Sequence, residues 1–137
     1  MQTNNFCRIE VGTDLIEVQR VAQAMERHPE GFSKRVFTEA ENAYCAQKKS
    51  AFVHFAGRFA AKEAVLKALG VGLRGGIRWT DVEITNDVHG KPMVKLSGKA
   101  LEIAKEKNML QLEISITHCK EFANAVAVLM RAPSGVA

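Results

Sequence analysis

The chain has 137 residues, of which 47% are hydrophobic and 25% charged, a composition typical of one globular domain with one core. No apolar run approaches the roughly 20 residues that cross a bilayer, and the N-terminus lacks the basic start and apolar centre of a secretory signal. Three widely spaced cysteines fit neither a zinc site nor a disulfide framework, so we expect a cytoplasmic protein without membrane attachment. The net charge of +4 permits an acidic or phosphate-rich partner. Basic and aromatic residues are not interleaved, so we expect no nucleic acid partner.

The first part of the chain predicts one strand followed by helices. Gly12 interrupts a β-branched run and indicates a bulge, or a close approach by a ligand or another backbone. Thr38 and Glu41 match a capping box, which starts a helix. The predicted elements are a strand over Ile9–Ile16, a helix over Glu17–Arg27, a short link over Phe32–Phe37 and a helix from Thr38 to about Gln47.

The stretch GRFAAKEAVLKALG, from Gly57 to Gly70, predicts the central helix, with Phe52 as its earliest expected start. Its four alanines, at positions 60, 61, 64 and 68, share one face and allow a neighbouring element to come close. Glu63 and Lys67 lie between that face and the Phe59 stripe. They form either an exposed ion pair one helical turn apart or part of a functional site.

The second part predicts strands joined by short connections, which must be antiparallel. The predicted elements are strands over Asp81–Thr85 and Met93–Leu96, a helix from Ser97 to about Lys107, strands over Leu110–Thr117 and Phe122–Met130, and a frayed tail from Arg131. We therefore predict an α+β fold, with an antiparallel sheet and helices on one side, in a single domain over residues 1–137 with an ordered core of about 8–131.

Four residues are candidates for catalysis or ligand binding: Asp14, Glu63, Lys67 and His118. Two carboxylates without a Cys/His pattern suit Mg²⁺, with waters and phosphate oxygens as further ligands. Lysine and histidine suit the binding of a negatively charged phosphate group. This donor set indicates phosphoryl-type transfer. Each residue also has an ordinary structural explanation: Asp14, for example, could cap the following helix. The glycine-rich segment after Leu69 is either a flexible turn or backbone that can approach a phosphate.

Several motifs resemble the holo-acyl-carrier-protein synthase family of small phosphopantetheinyl transferases. The matching segments are Gly12–Glu17 followed by Arg20, Arg58–Ala64 followed by Lys67–Gly70, Asn86-Asp87 with Gly90–Pro92, and Ile116–His118. The resemblance extends from about Ile9 to Leu129. Thr117 stands where many family members carry Ser, and it keeps the hydroxyl group.

This resemblance implies an Mg²⁺-dependent enzyme of fatty acid biosynthesis. Such an enzyme transfers 4′-phosphopantetheine from coenzyme A to a serine of apo-acyl carrier protein and releases adenosine 3′,5′-bisphosphate. It implies Asp14 and Glu63 as metal ligands, Glu63 or a metal-bound water as the base, and Lys67 as the partner of the leaving phosphate. The residues implied in coenzyme A binding are Arg58, Lys67, Gly70, Gly72 and His118.

The resemblance also implies partners. Arg20 and Arg27, on the outer face of the first helix, are expected to contact the acidic carrier protein, although a basic face of this kind is often only solvated. The short members of the family are similar in forming homotrimers with active sites between subunits. Two other function classes stay open: a non-catalytic module that binds coenzyme A or an acidic protein, and a metal-dependent phosphatase or nuclease that uses the same carboxylates.

Overall fold

The computed structural model describes residues 5–133 of the chain. In chain order the elements are β1 (Arg8–Glu17), α1 (Val18–Arg27), α2 (Gly31–Val36), α3 (Glu39–Ala46), α4 (Ala51–Leu69), a 3₁₀ turn (Trp79–Asp81), β2 (Val82–Asn86), β3 (Pro92–Leu96), α5 (Gly98–Glu106), β4 (Met109–His118) and β5 (Phe122–Arg131). All strands and the long helices occur where the sequence predicts them, and most of the predicted tail lies outside the described residues.

The strands form two antiparallel sheets, which confirms the predicted α+β class. One sheet has the order β1-β5-β4, and the other is the β2-β3 hairpin. Helix α4 packs against one face of the three-stranded sheet. The opposite face carries apolar side chains of β1 that are largely exposed in the single chain: Ile9 at 62%, Val11 at 61% and Leu15 at 64%.

The interpretation of Phe32–Phe37 as a link was wrong, because most of this segment is helix α2. Its residues pack into the second cluster of the core: the Phe37 ring lies 5.0 Å from the Phe55 ring, and Val36 is buried. Burial of the apolar side chains therefore stabilises a helix too short to be recognised from periodicity alone.

Helix α4 is buried on most of its circumference, and its buried residues include the charged Arg58 and Lys62. The small alanine side chains allow β1 to lie directly on the helix. A Cβ added to Gly12 would come within 1.9 Å of the Ala64 carbonyl oxygen. The β1–β5 register is continuous through this position, so Gly12 marks a close backbone approach and not a bulge. At its C-terminal end, α4 is capped by Gly70 in the left-handed conformation, with φ of 74°.

A buried ion pair between Lys62 of α4 and Glu41 of α3 also connects these helices to the 3₁₀ turn and to β2. Lys62 Nζ lies 2.7 Å from Glu41 Oε1, and both side chains are fully inaccessible to solvent. Lys62 also donates to the carbonyl oxygens of Trp79 and Val82, while Glu41 accepts from the backbone N–H of Ile84 at 3.0 Å. Glu41 thus completes the predicted capping box of α3 and also holds α4 against β2.

None of the helices within residues 5–133 combines the length and the apolar character that a membrane span requires.

Candidate active site

The contact between β1 and α4 brings Asp14 and Glu63 to the same cavity. Gly12 faces α4, and Asp14, two residues further along the strand, faces the same way. Glu63 immediately precedes Ala64, whose backbone Gly12 touches. Both carboxylates line a cavity of about 360 Å³, together with Arg20 of α1.

The two carboxylates repel each other. Burial raises the pKa of Glu63, the negative charge of Asp14 raises it further, and Lys67 partly opposes both effects. Half-buried like charges of this kind are a feature of sites that hold a cation, because a cation relieves the repulsion and favours the ionised form.

Lys67 lies beside the two carboxylates, and Asp14, Glu63 and Lys67 are together called the acidic cluster. Lys67 Nζ donates to the Thr13 carbonyl oxygen at 2.9 Å and lies 3.3 Å from Asp14 Oδ1. Among residues 5–133 no ion pair joins Glu63 to Lys67, so the alternative of an exposed pair along α4 was wrong. Asp14 lies within β1 and does not cap the following helix.

The donor set suits a hard cation that keeps part of its solvent shell. Within the described part of the chain, no three His, Cys, Asp or Glu side chains come together as a potential metal cage. Asp14 and Glu63 offer two carboxylates, and Mg²⁺ is typically held by one or two carboxylates, with waters and substrate phosphates completing its octahedron. The residues present fit such an ion.

A second cavity, of about 160 Å³, lies on another side of α4 and is cationic. Arg58, only 4% exposed, lines it and donates from Nη2 to Asn86 Oδ1 at 2.6 Å. The guanidinium also lies 4.1 Å from the centre of the Tyr44 ring, while its buried Nε has no hydrogen-bond partner among residues 5–133. His118 lines the same cavity. A buried guanidinium with an unused donor suits an anionic ligand.

Three residues that line this cavity with polar side chains were not among the predicted site residues. Asn86 belongs to one of the matching motifs, which was a usable signal. Tyr44 had no signal in the sequence, and His54 was interpreted as an ordinary structural histidine. The two histidines meet here, with the centres of the His54 and His118 rings 5.4 Å apart.

Arg58 and Glu63 are five residues apart on α4, which places their side chains about 140° apart around the helix axis. The acidic cluster and the cationic cavity therefore open on different sides of one chain. Of the remaining predicted site residues, Gly70 and Gly72 line neither cavity, and Gly70 has the structural role of a helix cap. Arg27 is exposed at the end of α1.

The chain is a small α+β protein with one cavity lined by two carboxylates and a second cavity lined by a buried guanidinium. A sequence model of the 4′-phosphopantetheinyl transferase superfamily matches residues 10–127, which is most of the chain. The chain belongs to this superfamily, and as a member it is a transferase.

Individual relatives agree with this assignment. The chain is 46% identical to the holo-[acyl-carrier-protein] synthase of Protochlamydia amoebophila over 118 residues, which cover 86% of this chain and 94% of that protein. Its structure is similar to the Plasmodium yoelii acyl carrier protein synthase with ADP bound, at a TM-score of 0.81 and 35% identity, covering 93% of this chain and 98% of that one. It is also similar to the Helicobacter pylori holo-[acyl-carrier-protein] synthase in complex with coenzyme A, at a TM-score of 0.75 and 32% identity, covering 87% and 98%.

Proposed function

We propose that this protein transfers 4′-phosphopantetheine from coenzyme A to a serine of apo-acyl carrier protein in an Mg²⁺-dependent reaction that serves fatty acid biosynthesis in the cytoplasm. The observation that carries the proposal is the pair of mutually repelling carboxylates, Asp14 and Glu63, at one cavity beside the ammonium of Lys67. Relatives named for this activity, and a similar structure with coenzyme A bound, support the substrates.

In this proposal Asp14 and Glu63 hold Mg²⁺, which supplies charge neutralisation at the pyrophosphate when it is bound. The serine oxygen of the carrier protein attacks the β-phosphorus, and the bond from that phosphorus to the bridging oxygen breaks. Adenosine 3′,5′-bisphosphate leaves with the bonding electron pair. The base that accepts the serine proton is Glu63 itself or a water bound to the metal ion. Lys67 places a positive charge beside the leaving phosphate.

The cationic cavity is proposed to bind the nucleotide end of coenzyme A. That end carries a phosphate monoester, whose charge matches the buried guanidinium of Arg58 and the imidazole of His118. Gly70 and Gly72 stay predictions that rest on the family resemblance alone.

The position of the two cavities on different sides of α4 supports a site assembled between subunits. One molecule of coenzyme A reaches both cavities more readily if one chain provides the carboxylates and a neighbouring chain provides Arg58 and His118. The exposed apolar face of the three-stranded sheet, with Ile9, Val11 and Leu15, is a surface that such assembly would bury. We therefore propose the homotrimer that the resemblance implies.

The carrier protein is proposed to approach along α1. Arg20 is exposed and lines the same cavity as Asp14 and Glu63, and Arg27 extends the basic charge to the end of the same helix. Carrier proteins of this kind are acidic, so these charges would increase the rate of encounter more than the final affinity.

Mass spectrometry of apo-acyl carrier protein incubated with the enzyme, coenzyme A and Mg²⁺ tests the proposal. We expect one phosphopantetheine to be added per carrier. The addition should be lost with chelator, with Asp14→Ala and with Glu63→Gln, while circular dichroism shows both variants folded. Coenzyme A binding without transfer, independent of metal, would instead indicate a binding module. Release of phosphate or cleavage of nucleic acid in the absence of carrier would indicate the hydrolase alternative.

A further inference from the structure

We propose that His54, which forms a histidine pair with His118, takes up a proton when a phosphate monoester binds in the cationic cavity, so that affinity for the nucleotide rises as the pH falls. The nature of the ligand rests on the proposed function. The role of His54, and the coupling of its protonation to ligand binding, go beyond the proposed function.

The geometry places both imidazoles at the ligand position. His54 lies in the first turns of α4, and His118 ends β4. Their rings meet edge to face, with centres 5.4 Å apart and planes inclined at 67°. On its other side His54 meets the edge of the Tyr44 ring, at 6.2 Å. All three side chains line the cavity that also contains Arg58.

The charged groups around His54 are cationic on each element packed against it. Lys48, between α3 and α4, lies 4.6 Å from the centre of the Tyr44 ring, Arg58 comes from α4 itself, and His118 comes from β4. The lining residues include no carboxylate. Asp87, the acid of the β2–β3 turn, is engaged within its own loop, where it accepts from the backbone N–H of His89 at 2.8 Å and of Lys91 at 2.9 Å.

This environment keeps His54 neutral while the cavity holds no anion. Burial lowers the pKa of His54 below its ordinary value of 6.5, and the positive charges of His118, Lys48 and Arg58 lower it further. A phosphate monoester carries close to two negative charges at neutral pH. Bound between these groups, it would reverse the sign of the local potential and raise the pKa of His54, because an adjacent opposite charge favours the ionised imidazole.

Proton uptake on binding fixes the direction of the pH dependence. When the complex holds more protons than the free protein, the association constant increases as the pH falls. The effect occurs between the depressed pKa of His54 in the free protein and its raised value in the complex. Each fully coupled proton changes affinity by up to about tenfold per pH unit. Below about pH 6 the phosphate itself gains a proton and the trend reverses, so the informative range lies above that value.

The experiment is calorimetric titration of the full-length protein with adenosine 3′,5′-bisphosphate. Titrations at several pH values above 6.5, each in two buffers with different ionisation enthalpies, report both the affinity and the number of protons taken up. We expect the wild-type protein to take up protons and to bind more tightly at the lower pH values. His54→Gln keeps a polar side chain of similar size but cannot titrate, so it should take up fewer protons and show a flatter pH profile.

His28→Gln, outside the cavity and exposed, is the matched control and should behave like the wild-type protein. Urea unfolding of each variant establishes that it is folded. Proton uptake that is equal in His54→Gln and the wild-type protein, or a wild-type affinity that does not change with pH, would overturn the role of the histidine pair.

Phosphopantetheine transfer assayed in parallel separates this inference from the proposed function. Normal transfer without His54-dependent proton uptake overturns the histidine pair and leaves the transferase function standing. His54-dependent uptake of protons without transfer to any carrier overturns the transferase function and leaves the phosphate site standing.

Discussion

Replacing Gly12 by alanine tests whether the close approach of β1 to α4 builds the metal site. The added Cβ would lie 1.9 Å from the Ala64 carbonyl oxygen and 2.7 Å from the Ala68 nitrogen, both of them backbone atoms. No change of side-chain rotamer can relieve this contact. The strand and the helix must therefore separate by about 1 Å before the nearest contact becomes tolerable.

The expected cost follows from two opposing effects. Overpacking of a core contact typically destabilises by about 1–3 kcal/mol, and more where backbone must move. The loss of glycine flexibility in the unfolded chain offsets about 0.4–1 kcal/mol. We expect Gly12→Ala to lower the free energy of unfolding by about 2 kcal/mol, measured by urea denaturation. The matched control is Gly31→Ala, where the added Cβ would meet only His28 Cβ, at an ordinary 3.7 Å, and stability should change by less than about 0.5 kcal/mol.

The same displacement should disturb the chemistry, because Asp14 lies two residues beyond Gly12 on β1 and Glu63 precedes Ala64 on α4. A misplacement of about 1 Å can reduce turnover by about 100-fold. We expect Gly12→Ala to require more Mg²⁺ for half-maximal transfer and to turn over more slowly, at temperatures where it remains folded. A wild-type urea midpoint would refute the packing argument. A destabilised variant with unchanged Mg²⁺ dependence would refute the link between this contact and the carboxylate pair.

Three further predictions concern single charges. Lys62→Met leaves Glu41 buried and unpaired, so we expect the free energy of unfolding in urea to fall by about 3–5 kcal/mol. Adding Glu41→Leu should restore part of that stability. If the two substitutions instead destabilise additively, the ion pair is contradicted. Because burial and Asp14 raise the pKa of Glu63, the transfer rate should fall as the pH drops through that raised value, and added Mg²⁺ should move the fall to lower pH, since a cation favours the carboxylate. A pH profile unaffected by Mg²⁺ would count against Glu63 as a ligand. Arg20→Glu should lower kcat/KM for the carrier protein and weaken its salt dependence, whereas Lys105→Glu on α5 should not; equal effects of the two variants would exclude a specific basic face.

Much of the fold could be predicted because local sequence specifies it. Helix α4 consists of strong helix formers and ends at a glycine in the left-handed conformation, and Thr38 with Glu41 caps α3 through contacts between near neighbours. The β2–β3 and β4–β5 pairs follow from short connections that allow only antiparallel pairing, whereas the β1–β5 pair joins opposite ends of the chain. Helix α2 could not be predicted, since its stability depends on the packing of Phe37 and Val36 against residues distant in the chain.

The candidate site could be predicted only in part from the local sequence. Residue chemistry and the family resemblance selected Asp14, Glu63, Lys67, Arg58 and His118 as site residues. Their division into an acidic cluster and a separate cationic cavity depends on the direction in which each side chain leaves α4, β1 or β4.

The sequence by itself determined the strands, every helix except α2, the antiparallel hairpins and the residue types available for phosphate and metal chemistry, because propensity, capping and turn geometry act over a few residues. Only the tertiary structure decided that Gly12 brings two carboxylates together, that Lys62 is paired with Glu41 out of contact with water, and that His54 faces His118. Each of these contacts joins residues far apart in the chain. Their distances are set by how α4 packs against the sheet and the neighbouring elements, and that packing depends on many side chains at once.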